Sequence, residues 1–221
     1  MPVYLLTEAY TFPSPCLAEK DGLLAIGGDL SVERLILAYK MGIFPWYSKD
    51  SPILWWSPDP RYVIFLDKFH IPKRLLQIYK KNEFTFTINK CFKRVIENCS
   101  LIHTQKDGST WITDDMISAY IDLHKEGYAH SVETWQKDRL VGGLYGVSTG
   151  KIFSGESMFS ILPNSSKLAL VFLWEYLKQL GFILIDCQVK SAHLMQFGAE
   201  PIPRSKFLKL LSLYSDINIR L

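Results

Sequence analysis

Three side chains in two short apolar stretches are of types that handle protons and amide groups. Glu156 lies in Phe153-Ser154-Gly155-Glu156-Ser157-Met158-Phe159-Ser160, and Asp186 with Gln188 closes Ile183-Leu184-Ile185-Asp186-Cys187-Gln188. A carboxylate among apolar neighbours is costly unless it is paired, hydrated or used. Alternation along a strand puts Ser154, Glu156, Met158 and Ser160 on one face, with Phe153, Gly155, Ser157 and Phe159 on the other. Asp186 and Gln188, two apart, share a face by the same rule. The bland alternative for Glu156 is a glutamate on a solvent-facing strand. Against it stands the pair of strands, each presenting acid or amide groups, which points to a polar site inside a hydrophobic cleft.

Other residues invite other chemistry. Cys187 with His193 or His130 as base has the composition of a thiol enzyme. Alternating away from Asp186, Cys187 reads instead as a small core residue. Trp46, Trp55 and Trp56 fall within eleven residues stiffened by prolines. Packing explains Trp55 or Trp56, whereas an exposed Trp46 suits stacking on a base. Lys73, Arg74, Lys80 and Lys81 make one face of a short helix basic, which is either a solvated face or a phosphate contact.

Composition narrows the field. The chain has 221 residues, 48% hydrophobic and 21% charged, with a net charge of +3. That allows one large domain, or a small one beside a medium one. The charge is too mild to imply a polyanion partner by itself, so any such site must be a local patch. Four cysteines show neither CxxC pairs nor metal-ligand spacing, and no signal peptide precedes them, which is the pattern of a reduced cytosolic chain. No apolar run approaches the ~20 residues that span a bilayer. The expectation is a soluble, cytoplasmic protein.

The elements that must position these residues follow in order. Residues 1 to about 60 hold six of the eleven prolines by position 58 and a Gly27-Gly28 pair. Ser31 is a candidate cap for a helix from Val32 to Met41, stopped by Gly42. Near Pro60 the pattern changes. Arg61 to Leu66 reads as a strand, Pro72 to Lys81 as a helix, Phe84 to Ile88 as a strand and Cys91 to Asn98 as a helix. Asp114 to Glu126 is helical. Ala129 to Trp135, Leu140 to Val147 and Ile152 to Phe159 form three successive strands. A helix from about Lys167, capped by Asn164, Ser165 or Ser166, presents Leu170, Leu173, Trp174 and Leu177 as its buried stripe. A strand to Cys187, a short helix, an extended piece and a final helix from Arg204 to Tyr214 complete the chain. This order is that of an α+β domain of the acetyltransferase-like (GNAT) type with a mixed sheet. The turn before the central helix, Phe159 to Lys167, has no glycine, so it is no coenzyme A cradle, though its helix start could receive one phosphate or carboxylate.

Taken together, the chain resembles the leucyl/phenylalanyl-tRNA–protein transferase family. The matching text includes Phe12-Pro13-Ser14-Pro15, Gly22-Leu23-Leu24-Ala25 with Gly27-Gly28-Asp29-Leu30, Gly42-Ile43-Phe44-Pro45-Trp46 and Leu54-Trp55-Trp56-Ser57-Pro58-Asp59-Pro60-Arg61. It continues with Thr110-Trp111-Ile112, Ala129-His130-Ser131-Val132-Glu133, Val141-Gly142-Gly143-Leu144-Tyr145-Gly146, Gly155 to Ser160 and Leu184 to Gln188. The resemblance runs nearly the whole chain, to about Pro203. It implies an aminoacyltransferase that moves Leu, Phe and less readily Met from aminoacyl-tRNA to proteins beginning with Lys or Arg, marking them for N-end-rule degradation. It implies a small N-terminal domain at 1–60 beside an acetyltransferase-like domain at 61–221, no cofactor, no metal, no membrane and a monomer.

By the same resemblance, Gln188 accepts a hydrogen bond from the attacking amine, and Asp186 holds Gln188 and helps relay the proton. Glu156 lies at the bottom of an aminoacyl pocket with Phe153, Leu144, Met158, Leu170 and Ile185. Phe153 and Glu156 point apart in a regular strand, so a bulge at Gly155 is expected. Trp46 and Trp111 stack on the 3′-terminal adenosine, and Lys73, Lys80 and Lys81 touch tRNA phosphates without reading sequence. Three departures stand out: Ser191 where asparagine is common, Gln77 within the basic helix, and Leu144 for a frequent methionine, a near volume-conserving swap. A non-enzymatic RNA-binding module built on Trp46, Trp111 and the lysines is the remaining alternative; neither it nor a thiol enzyme accounts for Glu156, Asp186 and Gln188 together.

Overall fold

The computed structural model describes residues 3–215, 217 and 221. The remaining six positions of the two expected domains lie outside the described residues. In chain order come β1 (Tyr4–Leu6), β2 (Leu23–Gly27), α1 (Val32–Lys40), β3 (Phe44–Pro45), β4 (Leu54–Trp56), β5 (Arg61–Phe65), α2 (Lys73–Lys80), β6 (Thr85–Ile88), α3 (Phe92–Asp107) and α4 (Asp114–Lys125). Then follow β7 (Ala129–Gln136), β8 (Arg139–Thr149), β9 (Ile152–Ser160), α5 (Ser165–Gln179), β10 (Leu184–Gln188), α6 (Ala192–Met195), β11 (Glu200–Ile202) and α7 (Arg204–Tyr214).

Two sheets carry the chain. The first orders β1-β2-β4-β3, and the second orders β11-β5-β10-β9-β8-β7-β6. The second is mixed, with β9 and β10 parallel and its other pairs antiparallel. This is the α+β arrangement that the order of segments implies. No strand is shared, and the sheets part between Trp56 and Arg61. The helices α1, α3 and α4 nevertheless join them, because one buried cluster runs from Leu24, Leu35 and Trp55 through Val95 and Tyr120 to Phe159.

The pairing of β9 with β10 is what shapes the site. It lasts only for Leu184↔Ile152, Ile185↔Phe153 and Asp186↔Ser154. Beyond that both strands leave regular geometry. In β9 the register against β8 slips between Tyr145↔Ser157 and Gly146↔Gly155, so Glu156 is the extra residue, one place past the expected Gly155. In β10 the register against β5 slips between Asp186 and Gln188. Opposite the first bulge stands Gly146, where a Cβ would run into the Ser154 carbonyl oxygen and the Phe153 ring. The strands therefore diverge, and a cleft opens between them.

Several local expectations shift. The helix placed at Cys91 to Asn98 runs on to Asp107, ending at Gly108 in the left-handed region (φ 75°). Ser31 does not cap α1 through its side chain; its hydroxyl donates to Asp29 instead. Nor do the groups ahead of α5 form an open anion cradle. Ser165 Oγ donates to the carbonyls of Val141 (2.7 Å) and Leu162 (2.8 Å), and Ser166 pairs with Ser160. Trp55 is fully buried with its Nε1 donating to Gly27 O (2.8 Å), whereas Trp46 is exposed, 44% of its surface reaching solvent.

Candidate active site

A cavity of about 610 Å³ lies where β9 and β10 separate. Ten of the residues singled out from the sequence line it: Asp186, Gln188, Glu156, Met158, Phe153, Leu144, Leu170, Ile185, Trp46 and Trp111. Lys73, Lys80 and Lys81 do not; they sit exposed on and just after α2. The two bulges explain the convergence. Phe153 and Glu156 still face different neighbours, Phe153 packing with Leu144, Leu170 and Ile185 and Glu156 meeting Tyr39 and Tyr120, and the extra residue in β9 brings Met158, opposite Leu144, onto the side of Phe153.

Asp186 is fully buried, and its ionic state is matched by a residue that the sequence motifs leave unassigned. Arg61, at the start of β5 and equally buried, donates from Nε to Oδ1 (2.8 Å) and from Nη2 to Oδ2 (2.7 Å). This fork on a carboxylate is the strong bidentate form of the pair. Ser154 Oγ donates to Oδ2 (3.1 Å), and the backbone N–H of Gln188 donates to Oδ1 (2.9 Å). Arg61 itself lies between the rings of Phe44 (4.9 Å) and Phe207 (4.6 Å), and its Nη1 donates to Gly42 O (3.2 Å). The signal for Arg61 was present in the sequence: a cation opening an apolar strand needs a buried anion.

The expectation that Asp186 and Gln188 share a regular strand face does not survive. Gln188 adopts φ 63°, in the left-handed region, and the ladder skips Cys187. Asp186 therefore holds Gln188 by its main chain. The side chain of Gln188 belongs to Glu156: its Nε2 donates to Oε1 at 2.7 Å. That same oxygen accepts from Tyr39 Oη at 2.8 Å, and Tyr120 Oη faces Oε2 at 3.5 Å. Burial, more than the neighbouring Asp186 charge, raises the Glu156 carboxyl to about 7, while bonds from Tyr39 and Gln188 pull the other way. Tyr39 and Tyr120, like Arg61 and Ser154, were not anticipated. They lie on helices distant in sequence, and nothing in their local pattern separates them from ordinary core tyrosines.

The thiol alternative fares poorly. Burial first, and then the Asp186 charge, pushes the Cys187 thiol far above the range in which it could act as thiolate. Its sulfur contacts the Ile185 carbonyl at 3.8 Å. His130 is committed to Asn89 (3.0 Å) and Ser148 (3.1 Å) away from this cavity. His193 lines the cavity, its ring edge-on to Phe197. Among the described residues no three His, Cys, Asp or Glu side chains gather as a metal site. No helix among them is long and apolar enough to cross a membrane.

This arrangement can do one thing well. Apolar walls take a hydrophobic side chain, and at their edge Gln188 is held by Glu156 through its side chain and by Asp186 through its main chain. Such a site can orient one bound substrate against another.

The family model described as leucyl/phenylalanyl-tRNA protein transferase matches residues 63–212, and the N-terminal domain model of that family matches 28–59. A leucyl/phenylalanyl-tRNA–protein transferase of Syntrophobacter fumaroxidans is 54% identical, covering 96% of this chain and 91% of its own. The protein of that name from Desulfotalea psychrophila is 53% identical over 96% and 94%. Among solved structures, the crystal structure of FemX aligns with 80% of this chain and 70% of its own at a TM-score of 0.48 and 12% identity.

Proposed function

The chain belongs to the leucyl/phenylalanyl-tRNA–protein transferase family, and we propose from that premise how it selects and joins its substrates. It is an aminoacyltransferase whose substrates are aminoacyl-tRNA and protein. The residue it moves is leucine, phenylalanine or, less readily, methionine, and the acceptor is a protein with N-terminal lysine or arginine, which is thereby marked for N-end-rule degradation. It does so in the cytoplasm, as a monomer and without a cofactor. The observation that carries this reading is the cavity in which apolar walls, two tryptophans and the Glu156–Gln188–Asp186 cluster meet.

Each part has a role that its position supports. Leu144, Phe153, Met158, Leu170 and Ile185 form the walls around the aminoacyl side chain, and flexible Met158 accommodates differently shaped apolar groups. A β-branched valine or isoleucine fits worse by ~1–3 kcal/mol per misplaced methyl. Trp46 and Trp111, at the same cavity, stack on the terminal adenosine. Lys73, Lys80 and Lys81 lie exposed where they can meet tRNA phosphates. Residues 1–60 act as a small domain beside 61–221, a division supported by sheets that share no strand and by the two separate family matches.

The chemistry needs little more. The acceptor nitrogen attacks the ester carbonyl carbon, the bond from that carbon to the ribose oxygen breaks, and the proton lost by the amine ends on the ribose oxygen. Gln188 Oε1 accepts a hydrogen bond from the amine and fixes its approach; a neutral amide does not keep the proton. Asp186, with both oxygens already taken by Arg61, Ser154 and the Gln188 main chain, acts as a positioning residue rather than a base. The test uses leucyl-tRNA carrying labelled leucine and two model proteins beginning with arginine or alanine. Label moving to the arginine-started protein alone supports donor and acceptor class together. Tight tRNA binding without transfer would favour the RNA-binding module instead.

A further inference from the structure

The two tyrosines that meet Glu156 are not explained by packing. Tyr39 comes from α1 and Tyr120 from α4, and both are buried. Their hydroxyls bond each other and converge on one carboxylate, whose Oε1 also takes the Gln188 amide. Nearby Tyr145, equally buried, has a hydroxyl without a partner among the described residues.

An ionised carboxylate only accepts hydrogen bonds. Facing it, Gln188 must offer its NH2, so its carbonyl oxygen is turned to the other side, available to an incoming amine. A protonated carboxyl can donate instead. Gln188 could then turn over, presenting an NH2 group that cannot accept from the amine. The state of Glu156 thus sets which end of Gln188 the acceptor meets. Resting on the transferase reading above, we propose that Tyr39 and Tyr120 are positioning residues that hold Glu156 as an acceptor and so orient the Gln188 carbonyl toward the attacking amine. The helix α1, otherwise part of the small amino-terminal unit, thereby completes the reaction centre.

Every neighbour bears on this state. Tyr39 on α1 donates to Oε1, and Tyr120 on α4, bonded to the Tyr39 hydroxyl, faces Oε2; Tyr145 on β8 lies alongside; Asp186 on β10 adds like charge, which Arg61 on β5 offsets. From α3, His103 faces the adjacent Ser157 at 3.1 Å. The phenols are pushed well above their ordinary range by burial first and then by Glu156, so they remain neutral donors. With the carboxyl raised to about 7, the change of state falls in the working range.

The test is a pH profile of single-turnover leucine transfer with saturating leucyl-tRNA, for the wild type, Tyr39→Phe and Tyr120→Phe. Loss of the 2.8 Å donor should move the acid limb of Tyr39→Phe upward by about one pH unit. Its deficit should be about tenfold near pH 6.5 and shrink as pH rises. Tyr120, at 3.5 Å, should give a smaller displacement. A purely structural role would lower the rate by the same factor at every pH. The acceptor's own amine also titrates, so the series is repeated with an acceptor of lower amine pKa: that limb follows the acceptor, and the Glu156 limb follows the enzyme. The 15N resonance of the Gln188 side-chain amide supplies a readout without turnover. It should titrate with the same midpoint and move in Tyr39→Phe. Profiles that superimpose after scaling, or an amide that does not titrate, would overturn the proposal. If no transfer occurs with wild type at any pH while the amide still titrates as expected, the transferase reading fails and the positioning of Gln188 stands.

Discussion

Replacing Arg61 by methionine tests whether the Arg61–Asp186 pair organises the centre. Both groups are removed from solvent, and Asp186 receives four hydrogen bonds, two from Arg61. Methionine keeps most of the volume between Phe44 and Phe207 but strips the carboxylate of its counter-charge. Breaking a buried pair from one side costs ~3–5 kcal/mol, because a charge is left uncompensated. In a chain of this length 1 kcal/mol moves the melting midpoint by ~2–4 °C, so a fall of roughly 6–20 °C is expected. Adding Asp186→Asn to Arg61→Met removes the stranded charge. The asparagine side chain can still accept from the Gln188 main chain, so the double variant should regain ~2 kcal/mol or more relative to Arg61→Met. Denaturant unfolding of the wild type, Arg61→Met, Asp186→Asn and the double variant gives the coupling directly, and transfer rates on the same samples show whether stability and chemistry recover together. A single variant costing under ~1 kcal/mol, or a double variant no better than the single, would refute the reasoning.

Other outcomes follow from the same geometry. Leu144→Phe narrows the cavity and should reduce phenylalanine transfer at least ~tenfold more than leucine transfer, measured as a ratio of kcat/KM with the two charged tRNAs. Because burial raises the Glu156 carboxyl to about 7, the folded state binds an extra proton between the unfolded value near 4.5 and 7, and this contribution to stability is lost as pH rises through that window. Glu156→Gln should therefore flatten the fall in melting temperature between pH 5 and 8 that the wild type shows. Under native conditions a thiol reagent should modify exposed Cys16 rapidly, whereas Cys99, raised to about 12 by burial, and Cys187 react only on unfolding. Changing Lys73, Lys80 and Lys81 together to alanine should weaken tRNA binding and lower its salt dependence by about two to three in log–log slope, with little change at saturating tRNA.

The sequence carried much of this in its strand patterns and turn residues. The three strands β7, β8 and β9 are extended runs broken at Lys137-Asp138 and Thr149-Gly150, so their order was legible. Glu156, Asp186 and Gln188 stood out because polar groups in apolar strands demand an explanation. Their connections did not. Periodicity assigns faces only to regular strands, and both strands bulge at the residues that matter. Hence Gln188 answers to Glu156 by side chain and to Asp186 only by main chain. Arg61 was read only as the start of a strand; its partner, 125 residues away, is fixed by the β5–β10 pairing. Tyr39 and Tyr120 reach Glu156 through helix packing across the two sheets, which no local pattern encodes.

The most direct test of the central claim is a crystal structure with an aminoacyl-adenosine analogue whose leucine is joined by an amide that cannot transfer. The account predicts the leucyl group among Leu144, Phe153, Met158, Leu170 and Ile185, the adenine against Trp46 and Trp111, and Gln188 Oε1 facing the carbonyl carbon from the side an amine would approach. An analogue seated elsewhere, or a Gln188 carbonyl turned toward Glu156 with the ligand in place, would contradict it.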